Sequence, residues 1–406
     1  MKLFIRNMRK IGLLTISLIS FNTVMAQKTN VVSAAVEYKK YEPSLMMQKF
    51  DDAKNSLLSA KKYIDLAMQD ATTKNDEKAH YYNAIINYCL AELSGMGKYD
   101  DLKLYQNDSI EGVIKNSVAI ASKKSQWKIE VTDFFNGRVS QAVMIGEMMY
   151  KQKKYDMAFA GFAMAYKIKD ISGIDTDKEN MKVNSIISAR HQVDTLKQMD
   201  SLDRAIEFIS KAMEIFPKSE ELAIDGVNLA LSMDNLVKAE EFFNRAAEAA
   251  PTNKVLFSNM GSIFLNQADK AYESFSTMTV TSPGYQEKSN EVEELYGKAE
   301  KNLLKALEID PNYAEAAYNL GVLYLGRGEK LKIQAGQMDF NDPDYEAVSQ
   351  RAKEMYEKAI APLEIYIQQD PNNVGVLQVL FQVHRNAGNT EKAMEYKRRA
   401  DEAGGE

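Results

Sequence analysis

Tyr296-Gly297-Lys298-Ala299-Glu300-Lys301-Asn302-Leu303 leads on to Asp310-Pro311-Asn312, and sixty residues later Tyr356-Glu357-Lys358-Ala359-Ile360-Ala361-Pro362-Leu363 leads on to Asp370-Pro371-Asn372. Outward from these, Pro283, Tyr285 and Ser289 match Pro343, Tyr345 and Ser349, and Gly261 matches Gly321, all without a gap. So many coincidences in one register mark an internal duplication. Pro217, Pro251, Pro311 and Pro371 punctuate it, at spacings of 34, 60 and 60 residues. Breakers are otherwise scarce. With 8 Pro and 20 Gly in 406 residues, the chain favours long helices over a turn-rich β protein.

Thirty-four residues is the period of the tetratricopeptide repeat (TPR), a helix–turn–helix unit. The chain resembles that family over 140–400, and more weakly over 45–120. Ile145-Gly146, Met149, Tyr155, Ala158, Phe162 and Ala165 follow its helix A then helix B pattern. Ala205, Ile209, Ala212 and Pro217 supply a helix B, as do Ala239, Phe243, Ala246 and Pro251. Asn312, Ala317, Leu320-Gly321, Tyr324 and Gly328 read as a helix A, and Leu377, Leu380, Gly388, Ala393 and Ala400 as a final unit. Ala60, Ile64, Ala67, His80, Ala84 and Asn87 match loosely near the start. The resemblance implies an all-α fold, a TPR-like right-handed helical solenoid. Small residues (Gly146, Ala158, Gly321, Ala359) are expected where helices cross closely, and large ones (Tyr155, Phe162, Phe243, Tyr324) in the gaps. No unit buries its apolar face alone, so units stack and leave a concave groove. The chain divides on this reading into 1–26, a leader; 27–125, an N-terminal TPR-like region; 126–250, TPR units; 251–370, two long units; and 371–406, a last unit with its capping end.

The two 60-residue units each carry 26 residues beyond 34, one set between Ala268 and Ala299, the other between Gly328 and Ala359. Both keep helical composition around a break, Thr281-Ser282-Pro283-Gly284 or Asn341-Asp342-Pro343-Asp344. The expectation is an extended helical hairpin in each, projecting by roughly 15 Å at 1.5 Å per residue. Tyr272, Phe275 and Met278, and Leu331, Ile333 and Met338, keep apolar positions along the outgoing arms. Either the arms pack on each other and on the neighbouring copy, or their tips form a docking surface.

Residues 1–26 read as a secretory signal peptide. Lys2, Arg6, Arg9 and Lys10 precede an apolar run from Ile11 to Phe21, and Val24-Met25-Ala26 offers a cleavage site before Gln27. The run is too short for a membrane span, which needs about 20 residues. No later stretch is apolar enough, so no membrane span is expected after cleavage. Losing four positive charges and no acid takes the formal charge from −6 to −10. A chain that acidic gains nothing from phosphate-backbone attraction, so no nucleic-acid partner is expected. The long modules are similar to those of exported TPR proteins of Bacteroidetes type, which implies a periplasmic or cell-surface location.

Catalytic and cofactor motifs do not stand out. There is no His-Glu-x-x-His, P-loop, Gly-rich nucleotide fingerprint or Gly-x-Ser-x-Gly. His80 and His384 occupy repeat slots that ordinarily hold large packing residues; His191, with Asp194 at i+3, reads as a surface contact. Asp175-Thr176-Asp177-Lys178-Glu179 begins like a calcium loop, but Asn180 and Ile186 replace the required Gly and Glu. The single Cys, Cys89, excludes an intramolecular disulfide and reads as a buried small hydrophobe. Asp108-Ser109-Ile110, Asp194-Thr195-Leu196 and Asp200-Ser201-Leu202 match a short O-glycosylation pattern that is frequent by chance. No cofactor, metal or catalytic residue is expected, and the reading is of a non-enzyme.

Binding then falls to the groove. Its expected exposed helix A positions are Tyr81, Tyr150, Asn228, Ser258, Asn259, Ser262, Tyr318, Asn319, Gln378, Gln382 and Arg385. Amides pair with peptide backbone, and Tyr adds flat apolar area with a polar tip. The family's chaperone-binding members clamp a C-terminal carboxylate with Lys and Asn. Here Val143, Glu147, Ser258, Ser262, Tyr318, Val322, Gln378 and Gln382 hold those positions, so that clamp is not supported. The leading expectation is a protein- or peptide-binding scaffold in the bacterial envelope, serving assembly or secretion. The alternative is a carrier of a small ligand or glycan in the Tyr-lined groove; a helical-repeat enzyme using His191 or a carboxylate cluster is the third.

Overall fold

The computed structural model describes residues 29–279 and 281–405, so the leader read at 1–26 lies outside the described residues. Among the described residues there are helices, turns and bends, and no strand. The chain forms two compact units, Met1–Phe216 and Pro217–Glu406. The division falls inside 126–250, which the sequence reads as one run of repeats.

In the first unit the helices are α1 (29–38), α2 (Tyr41–Met46), α3 (Phe50–Gln69), α4 (Glu77–Gly95), α5 (Asp108–Ala121), α6 (Ser125–Lys151), α7 (Tyr155–Ser172), α8 (Lys178–Gln198) and α9 (Leu202–Ile215), with a 3-10 turn at Asp100–Tyr105 before α5. Consecutive helices pack on each other from α2 onward, and α4 also meets α6 while α5 meets α7. That next-but-one contact is the mark of stacked helical pairs. Ala60, Ile64 and Ala67 of α3, spaced by a helical turn, are fully buried, as that periodicity requires. Buried α4 carries a polar chain: Asn87 Nδ2 donates to the Asn83 carbonyl (2.7 Å), Asn83 Nδ2 to Ser117 Oγ (2.8 Å), and His80 Nε2 lies 2.8 Å from the Lys74 carbonyl.

The second unit comprises α10 (Glu220–Ser232), α11 (Leu236–Ala249), α12 (Lys254–Glu273), α13 (Tyr285–Ile309), α14 (Ala314–Gly336), α15 (Tyr345–Gln369), α16 (Val374–Ala387) and α17 (Thr390–Gly404). They pair as α10/α11, α12/α13, α14/α15 and α16/α17, and each pair rests on the next. Each punctuating proline sits three residues before the first helix of a pair. Ser219, Asn253 and Asn373 then cap these helices by accepting from Leu222, Leu256 and Val376 N–H. Inside the first three pairs a glycine admits a large side chain. A Cβ on Gly261 would lie 2.6 Å from Leu303 Cγ, and one on Gly321 would lie 2.5 Å from Leu363 Cγ. The duplicated Gly and Leu are therefore one lock made twice.

The expected hairpins are present: α12 to α15 run 20, 25, 23 and 25 residues, against 13 and 14 for α10 and α11. The first hairpin packs on itself and on the second copy. Phe275 is buried between the rings of Tyr272 and Tyr285, both at 5.5 Å. From α14, Lys330 reaches Asp269 (2.7 Å) across the Tyr272 ring, and Arg327 reaches Glu293 (2.5 Å) and Glu300 (3.1 Å). The second hairpin leaves Ile333 half-exposed and Phe340, at its tip, exposed beside Tyr345.

Candidate functional site

The eleven expected groove residues separate into two groups. Asn228, Asn259, Gln378 and Arg385 are exposed, on α10, α12 and α16 of the second unit. The others are wholly or partly engaged. Ser258 is buried, 1% exposed, and this corrects its expected place on the open face: it sits between Phe257 and Met260 on the packed side of α12. Asn319 Nδ2 donates to Ser262 Oγ at 2.7 Å, tying α14 to α12, and Gln382 Nε2 donates to Glu329 at 2.8 Å, tying α16 to α14. Tyr318 packs its ring 5.0 Å from that of Tyr366. In the first unit Tyr81 packs against Tyr82 and Trp127, and Tyr150 against Tyr155 and His191. Half of the expected recognition set therefore braces neighbouring helices.

The three histidines are accounted for. His80 and His384 are buried, and burial holds both below the ordinary imidazole value. His384 stacks on Tyr396 at 5.3 Å. His191 is exposed and stacks on Tyr155 at 5.1 Å. Cys89 is fully buried, and burial pushes its thiol well above the ordinary range, as befits an inert packing residue. Where a calcium loop begins in the sequence, Lys169 Nζ donates to the Thr176 carbonyl at 2.5 Å and Lys178 pairs with Asp170. Among the described residues, no group of three or more His, Cys, Asp or Glu is placed to hold a metal.

An open cleft of about 950 Å³ lies elsewhere, in the first unit. Its walls come from four helices: Glu42 and Met46 of α2, Glu92 and Met96 of α4, Arg138 and Gln141 of α6, and Met164 and Lys167 of α7. Arg138 extends the buried face formed by Val131, Phe135 and Val139. Its guanidinium lies 4.4 Å from the Phe134 ring centre, 3.3 Å from Glu42 and 3.8 Å from Glu92. One cation thus serves two carboxylates. Burial pushes Glu92 above its ordinary value, Arg138 opposes that and Glu42 adds to it. The methionines give the cleft a polarizable apolar lining that adapts to different shapes. None of its lining residues was among the expected groove residues. The available signals were Arg138 within an apolar helical stripe and the run of methionines from Met144 to Met164.

No helix among the described residues is long and apolar enough to cross a membrane. No curated protein matches the chain in sequence. Among solved structures it is similar to YrrB, a TPR protein with an unusual peptide-binding site, at 18% identity over 55% of this chain and 90% of that one, with a TM-score of 0.35. It is also similar to a TPR repeats protein from Bacteroides fragilis NCTC 9343, at 17% identity over 61% and 98%, with a TM-score of 0.38. MamA matches at 17% identity over 54% and 91%, with a TM-score of 0.34. In sequence, residues 302–335 match the family model for the tetratricopeptide repeat, from Asn302 in α13 through the Gly321 lock to Ala335 in α14. The chain thus carries a tetratricopeptide repeat, set in the duplicated part of an all-helical fold.

Proposed function

We propose that this chain is a non-enzymatic scaffold that binds a protein or peptide partner outside the cytoplasm, in the bacterial envelope. The observation that carries the reading is the character of the open surfaces. The cleft is broad and methionine-lined, its two carboxylates share Arg138, and Asn228, Asn259, Gln378 and Arg385 are exposed on helix faces. Such surfaces hold side chains of a partner, and the histidines are occupied by packing and stacking. The leader-like residues 1–26 support export. Photo-crosslinking side chains placed at Gln141, Asn228, Asn259, Gln378 and Arg385 in the native host test the scaffold. A reproducible adduct with one defined protein is expected from at least one position, and no adduct from any of the five would remove the proposal.

The cleft volume also lies in the range of small-molecule sites, which keeps a small-ligand or glycan carrier as the second reading. A thermal-shift screen separates the two, since a ligand that binds only the folded state raises the melting temperature.

A further inference from the structure

The cleft does not end at its own rim. In the α6/α7 hairpin a Cβ on Gly161 would lie 2.7 Å from Gly146 N, so the two helices touch there and run antiparallel. Gln141, Ile145 and Met148 share one face of α6 by helical spacing, and Met157 and Met164 share one face of α7. Gln141 and Met164 line the same cleft, which puts both faces on the same side of the hairpin. Ile145, Met148, Met157 and Met164 are all exposed, between 42% and 52%. They extend the cleft as an apolar stripe towards the α6–α7 turn, over about 15 Å for the ten residues from 141 to 151. Monomeric proteins rarely leave a continuous apolar stripe in water without a use for it.

Lysines outnumber free acids around this stripe. Lys151, Lys153 and Lys154 form the turn at one end and Lys167 stands at the other, and none of the four makes an ion pair among the described residues. Among the nearby acids, Glu42 and Glu92 pair with Arg138, while Glu147 and Asp156 are exposed and offset part of the lysine charge. An extended peptide brings backbone donors and acceptors that need partners, and the stripe offers few side-chain amides, Gln141 and, at the turn, Gln152. A helix satisfies its own backbone and presents only side chains.

We propose that the stripe formed by Ile145, Met148, Met157 and Met164, with the cleft at its end, is a docking surface for an amphipathic helix of a partner protein, apolar on one face and flanked by acidic residues that meet Lys151, Lys153, Lys154 and Lys167. This deepens the scaffold reading and rests on it. The methionines accommodate different aliphatic and aromatic side chains, and the lysines select the sign of the flanks.

The test uses the full chain and two labelled 18-residue peptides followed by fluorescence anisotropy. Both carry leucine at i, i+3, i+4 and i+7 spacing; one has glutamate at the remaining positions and the other lysine. The acidic peptide is expected to bind at least about tenfold more tightly, with affinity falling as salt rises. Met148→Glu and Met157→Glu should each weaken it by about tenfold or more. Lys151→Glu combined with Lys154→Glu, both at exposed positions, should reverse the preference for acidic flanks in a variant shown to be folded. Absence of binding, equal binding of the two peptides, or unchanged affinity in folded variants overturns the proposal. A photo-crosslinker at Met148 separates the two failures: adducts at Asn259 or Gln378 with none at Met148 sink the stripe and leave the scaffold standing.

Discussion

Gly321 and Arg138 show how single residues set the fold and the cleft. Gly321→Ala places a methyl group 2.5 Å from Leu363 Cγ, so the helices must separate or the leucine must leave its rotamer. A loss of about 1–3 kcal/mol is expected from this overpacking, read by denaturant unfolding; Gly326→Ala, where the added atom meets open space, should leave stability unchanged or raise it. Arg138→Ala removes the cation from two carboxylates, one of them mostly buried. A loss of about 2 kcal/mol is expected at neutral pH, shrinking on acidification as Glu92 takes up a proton. Constant destabilisation between pH 7.5 and 4.5 would show that the guanidinium acts through packing alone. The small residues of this scale were legible in the sequence, because only Gly or Ala fits where helices touch. The fate of the polar residues was not. Whether Ser258 faces out or Asn319 is free depends on how far a neighbouring helix is rotated, and periodicity within one helix does not report that.

At the scale of elements, the capped prolines and lengthened hairpins come straight from the repeats. Asn373→Ala should lower stability by about 1 kcal/mol by orphaning the Val376 N–H, with Asn373→Ser retaining most of it; differential scanning calorimetry distinguishes the two. Phe275→Ala should cost about 3–5 kcal/mol, as the aromatic cluster of the first hairpin loses its central ring. Hydrogen exchange would locate the effect in α12, α13 and α14, and faster exchange confined to the 274–284 connection would mean the arms do not need the cluster. The sequence left open whether the arms pack or bind. The decision rests on Lys330 and Arg327 of the second copy reaching across to the first, contacts between residues up to 61 positions apart. The cleft was equally hidden, since its walls join α2 to α7 in the region where the repeat pattern is weakest.

For the whole molecule, the response to acid and the proposed export can each be tested. His80 in the first unit and His384 in the second are both held below the ordinary value of about 6.5 by burial. The unfolded chain therefore takes up protons that the folded chain resists, and stability present above that pH is lost as the pH falls below it. The melting temperature should drop by a few degrees between pH 7.5 and 5.5, and His80→Gln should reduce the dependence. A pH-independent melt over that interval would contradict it. Export makes a separate prediction: the protein recovered from an envelope or secreted fraction begins at Gln27 by mass spectrometry, and an intact residue 1 there would refute processing.

The paired locks, Gly261 with Leu303 and Gly321 with Leu363, carry an evolutionary consequence. Because both fit the same shape, excising one block of sixty residues between Pro251 and Pro311 rejoins surfaces already made to match, and inserting another lengthens the array without redesign. Lineages carrying this gene are free to drift in module number, and orthologues differing by whole multiples of sixty residues are the trace it should leave.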